Sequence, residues 1–83
     1  MSAEKQAVDF FIKRAEYSAT LAAQHCRDME YEKGMNLFKE SYGYYKKAEQ
    51  KLPDDLELKK KLDDIKNKYQ DAKKKYEEHK AGS

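Results

Sequence analysis

One cysteine, one proline and three glycines are all that a chain of 83 residues holds of the types that punctuate folds. A lone Cys26 forms no internal disulfide, and it fits an intracellular, reducing location. So few Pro and Gly leave no material for the many tight turns of a sandwich or barrel. No apolar run approaches the ~20 residues that a membrane span needs, and the first residues do not read as a signal peptide. An excess of one charge is missing too. Formal net charge is +2. Residues 1–27 hold four basic against three acidic residues, 28–52 five against five, and 53–83 nine against eight. A nucleic-acid binder carries a basic stripe that acids do not cancel, and none is found here.

What the chain does have is charge and aromatics together. Charged residues are 41% of the chain and hydrophobic residues 39%, which is the profile of long solvated helices. Seven Tyr and three Phe at regular spacing separate it from disordered chains, which are poor in aromatics.

Hydrophobic spacing predicts three helices, over about residues 2–27, 29–51 and 54–80. In the first, Val8, Phe11, Ala15, Ser18, Ala22, His25 and Met29 follow a three-four spacing. Phe10, Tyr17 and Leu21 are expected to widen that face, and Ser2 to cap its start. Asp28 is the expected N-cap of the second helix. There Tyr31, Gly34, Met35, Phe38, Ser41, Tyr42, Tyr45, Ala48 and Leu52 form one broad stripe, as the middle helix of a bundle requires. Gly34 lies on that stripe, where close backbone approach accounts for it. Pro53 ends the second helix, and Asp54 with Glu57 reads as a capping pair for the third. Leu58, Leu62, Ile65, Tyr69, Ala72, Tyr76 and His79 then alternate four-three without a slip. Three helices of matched length with short connections predict an all-α, three-helix antiparallel bundle that spans residues 1–83 as one domain.

Chemistry is sparse. The glycines are isolated, so no phosphate-binding loop exists. His25, Cys26 and His79 fall short of a tetrahedral zinc site and of a cysteine nucleophile with its base. Asp54-Asp55, Asp63-Asp64 and Glu77-Glu78 lack calcium-loop spacing, and solvated salt bridging accounts for them. Lys59-Lys60-Lys61 and Lys73-Lys74-Lys75 are interleaved with acids and read as a solvated face. Most tyrosines fall on core stripes, which core packing explains better than base stacking. No enzyme, cofactor or metal is expected.

The stretch Glu30-Tyr31-Glu32-Lys33-Gly34-Met35-Asn36-Leu37-Phe38 resembles the start of the middle helix in MIT (microtubule-interacting and trafficking) domains. Tyr31, Gly34, Leu37 and Phe38 take the places of that pattern, and Ser41, Tyr44, Tyr45 and Ala48 follow. Ala15 and Ala22 match small residues of the family's first helix, and Tyr69 with Ala72 its third-helix pattern. The resemblance implies a cytoplasmic, monomeric module, recruited to endosomes, that docks C-terminal segments of ESCRT-III subunits in grooves beside the third helix. Gln70 stands where well-studied members carry leucine, and Lys73 where they carry glutamate. A different peptide class, or use of the groove between helices one and three, is therefore expected. The groove candidates are Leu37 and Tyr44 on the flank of the second helix, with Lys66, Gln70 and Lys73 of the third. Two alternatives remain beside this one. One is a structural or self-assembling bundle. The other is a tetratricopeptide-like scaffold fragment, since Tyr44 to Asp55 resembles the end of such a repeat and its proline turn.

Overall fold

The structure, a computed structural model, describes residues 3–82. Helix α1 spans Ala3–Arg27, α2 spans Tyr31–Lys51 and α3 spans Leu56–Ala81. They form an all-α three-helix bundle. Ser2, the expected cap of α1, lies outside the described residues.

Direction follows from which residues meet. Ser41 reaches Ala15, Tyr44 stacks on Phe11, and Gly34 abuts Cys26, so residue numbers rise along α1 as they fall along α2. Tyr31 meets His79 while Tyr42 lies beside Lys66, so α3 is antiparallel to α2 in turn. α2 packs along both neighbours, whereas α1 and α3 barely approach each other.

The two seams of α2 are built from different residues. Ala15, Ala22 and Ser18 of α1 are buried, as are Gly34, Ser41 and Ala48 of α2, which recur every seventh residue. Small side chains at heptad spacing let two backbones come close. At Gly34 the approach is close. A Cβ there collides with Cys26 Sγ and stands 3.0 Å from the Ala22 carbonyl oxygen. Ser41 donates from Oγ to the Ala15 carbonyl at 2.7 Å, which satisfies the hydroxyl inside the seam. The α3 side is filled by bulk instead: Phe38 and Tyr45 from α2, and Leu58, Leu62 and Ile65 from α3, all at most 5% exposed. Burying each such side chain favours the fold by roughly 1.5–3 kcal/mol.

Both turns correct the sequence reading. Asp28 does not cap α2. Its N–H is used in closing α1, bonding the carbonyls of Gln24 at 3.2 Å and His25 at 3.1 Å. Met29 then takes φ 64°, with its N–H on the Cys26 carbonyl and that of Glu30 on the His25 carbonyl. This is the Schellman closure, with Met29 in the left-handed position that glycine usually fills. Met29 consequently stands 59% exposed rather than on the α1 core face. Glu30 occupies the N-cap of α2 without a side-chain cap bond, because its carboxylate is engaged by His25 at 2.9 Å and Lys33 at 3.3 Å. These partners hold the Glu30 carboxyl below its ordinary pKa, the His25 hydrogen bond contributing most.

At the second turn α2 stops at Lys51, ahead of Pro53, as expected. The cap of α3 is Asp55, not Asp54. Its carboxylate accepts from the Leu58 N–H at 3.1 Å, leaving Asp54 exposed.

Candidate docking groove

Three helices of this kind leave grooves between neighbours, and the side chains flanking the core stripes line them. The best-formed lies between α2 and α3. It is a cavity of about 290 Å³ lined by Lys39, Tyr42, Lys66, Tyr69 and Gln70. Tyr42 and Tyr69 are half-buried and supply its ring-lined floor, while Lys39, Lys66 and Gln70 are exposed at its rim. Toward the α2–α3 turn the depression continues past Lys46, Glu49, Lys59 and Asp63. Lys46 lies 5.9 Å from the Tyr42 ring centroid and 3.3 Å from Glu49. The Glu49 carboxylate, then Tyr42, raise the Lys46 pKa.

A second channel runs between α1 and α3. One stretch is lined by Glu16, Tyr45, Asp64 and Lys68 among others, and the next by Cys26, Arg27, Asp71 and Lys75 among others. Its charges alternate. Burial raises the pKa of the Cys26 thiol there, although the charge of Lys75 opposes that. Burial likewise raises that of the Tyr45 hydroxyl, with Glu16 and Asp64 adding to it.

The five residues singled out in the sequence do not share one groove. Lys66 and Gln70 line the α2–α3 cavity. Lys73 is exposed one turn beyond them, on the same face of α3 by helical spacing. Leu37 and Tyr44 are half-buried on the opposite flank of α2, where Tyr44 stacks on Phe11 of α1 at 6.5 Å. Sequence reasoning missed Lys39 as a rim residue, and it placed Tyr42 and Tyr69 on core stripes with their hydroxyls at the edge; both are half-buried and pack against the core while also lining the groove. The breadth of the α2 stripe was the available signal, because a stripe wider than the core leaves its margin in a groove.

Among the described residues no helix is long and apolar enough to cross a membrane. No group of three or more His, Cys, Asp or Glu among them is placed to hold a metal ion. Comparison with protein-family models, curated proteins and solved structures gives no match.

Proposed function

We propose that this chain is a non-enzymatic module that docks short peptide segments of other proteins in the α2–α3 groove. We further propose that it does so in the manner of MIT domains, which take ESCRT-III C-terminal tails in endosomal trafficking. The observation that carries this reading is the groove itself, with two tyrosine rings as its floor and Lys39 and Lys66 on opposite rims. Its volume, about 290 Å³, lies at the lower limit of small-molecule pockets, which enclose ~300–1,000 Å³. An open groove of this size suits side chains projecting from a bound segment, the usual physics of a helix or strand lying on a helical surface. Gln70 and Lys73 shape what fits: neither favours a basic residue in the bound segment, and Lys39, Lys66 and Lys73 favour an acidic one.

The test is an NMR titration of the labelled chain with a panel of ESCRT-III C-terminal peptides. The expected result is saturable shifts at Lys39, Tyr42, Lys66, Tyr69 and Gln70, weakened in Lys66→Glu for peptides with acidic flanks. A flat response across the panel at millimolar peptide overturns the reading. Shifts confined to Glu16, Tyr45 and Asp64 overturn the choice of groove and move docking to the α1–α3 channel.

A further inference from the structure

The flank of the α1–α2 pair facing away from α3 has the pattern of a helix-packing surface, and among the described residues nothing covers it. Along α1, Ala3, Ala7, Phe10, Arg14, Tyr17 and Leu21 repeat four-three-four-three-four. That is a second heptad stripe, separate from the one that faces the core. Along α2 the spacing is the same through Leu37, Glu40, Tyr44, Lys47 and Lys51. Scattered exposed apolar residues are ordinary on any protein. Here the pattern is not scattered, because Phe10 and Tyr17 sit seven residues apart on one stripe and are 56% and 59% exposed. Their surroundings form a connected cluster. Phe10 meets Phe11 edge-on at 5.8 Å, and Phe11 stacks on Tyr44 at 6.5 Å. Arg14 lies 5.6 Å from the Tyr44 ring centroid, and Lys47 lies 5.8 Å from that of Phe11 and 5.7 Å from that of Tyr44.

We infer that this flank is a second docking surface, and that its occupant is an acidic amphipathic helix from another protein. The heptad spacing on both walls is what selects a helix, since only a helix presents side chains at matching intervals along two parallel stripes. Charge selects its acidity. Arg14, Lys47 and Lys51 stand on these stripes against a single acid, Glu40. Cations lying over ring faces present their outer N–H groups to a partner carboxylate while the rings cover its apolar side. A second copy of this chain is the poorer occupant. A two-fold contact sets this face against itself, and one glutamate does not neutralise the bases of the other copy. A nucleic acid uses cations and rings but has no use for a heptad register.

The experiment uses a synthetic three-heptad helix with Leu at its a and d positions and Glu at e and g, and a twin with Lys at e and g. Titrated into the labelled chain, the Glu helix is expected to shift the amides of Phe10, Arg14, Tyr17, Leu37 and Tyr44. The Lys twin is expected to leave them unmoved. Phe10→Ser with Tyr17→Ser changes exposed positions, so circular dichroism should stay helical while binding weakens about tenfold or more. Arg14→Glu with Lys47→Glu should exchange the preference between the twins. No shift on this flank at millimolar Glu helix overturns the inference. Shifts only at Lys39, Tyr42 and Lys66 do so as well, while leaving the α2–α3 groove reading intact. A sedimentation mass that doubles with concentration, and returns to monomer in the double Ser variant, replaces the partner helix with a second copy. Stronger shifts here from a single-stranded oligonucleotide replace it with nucleic acid.

Discussion

The two seams that α2 makes solve one problem in opposite ways. Against α1 it presents Gly34, Ser41 and Ala48, and stability comes from backbones drawn close over small side chains. Against α3 it presents Phe38 and Tyr45 to Leu58, Leu62 and Ile65, and stability comes from apolar volume. A close seam has no room to grow, and a bulky one loses most when it shrinks. Beside the bulky seam lies the groove lined by Tyr42 and Tyr69, whereas the α1–α2 seam is close at Gly34 and leaves its outer flank available.

The largest effect is expected where bulk is removed. Leu62→Ala should cost about 2–5 kcal/mol in urea denaturation. A loss near zero means that α3 does not rely on volume, and the contrast between the seams collapses. Adding one methyl at the other seam comes next. Gly34→Ala should destabilise by about 1–3 kcal/mol despite the better helix propensity of alanine. The same change combined with Cys26→Ala should cost less than the two singles added together, because the colliding sulfur is gone. Strict additivity in that cycle rules out the contact at Gly34 as the cause.

Gly43 is the control on the same helix. It is exposed, and a Cβ there has no neighbour within 4 Å. Gly43→Ala should therefore stabilise by about 0.5–1 kcal/mol, seen as a higher midpoint with an unchanged urea slope. Destabilisation shows that Gly43 has a packing duty.

The smallest effect concerns the turn that joins the halves of the close seam. Glu30 has a folded-state pKa below its ordinary value of 4.5. A depressed carboxyl pKa means a stabilising contribution fully present above the unfolded pKa and lost as pH falls through the folded one. The melting temperature of wild type should exceed that of Glu30→Gln at pH 6, and the gap should close on acidification below the ordinary carboxyl range. A gap that persists at pH 2 assigns the effect to shape rather than charge.

The core was the most legible part of this chain. Every buried position falls on a stripe visible in the sequence, from Val8 to Ala72, because period and burial share one cause. The turns were read less well. Asp28 and Asp54 each carry the cap signal, yet local hydrogen bonding chose neighbours two and one residues later. Met29 gave no warning at all, since the left-handed position it fills is normally announced by glycine. Phe10 and Tyr17 show a further limit. An apolar residue beside a core stripe is equally consistent with burial and with exposure, and only the placement of the neighbouring helices separates the two. Tyr42 and Tyr69 pack against the core as their stripes suggest, and the same half-buried rings also line the groove. Of the candidate groove, Gln70 came from the family resemblance, and hydrophobic period alone had no means of finding it.

That α1 and α3 barely meet bears on how fast and in what order the chain assembles. Nearly every pairing joins helices adjacent in sequence, so the loops to be closed are short and the entropic barrier is low. The molecule then behaves as a short linear array, in which each helix answers chiefly to its neighbour. α1 and α3 are the two terminal units of that array, and release of either leaves the other's seam with α2 in place.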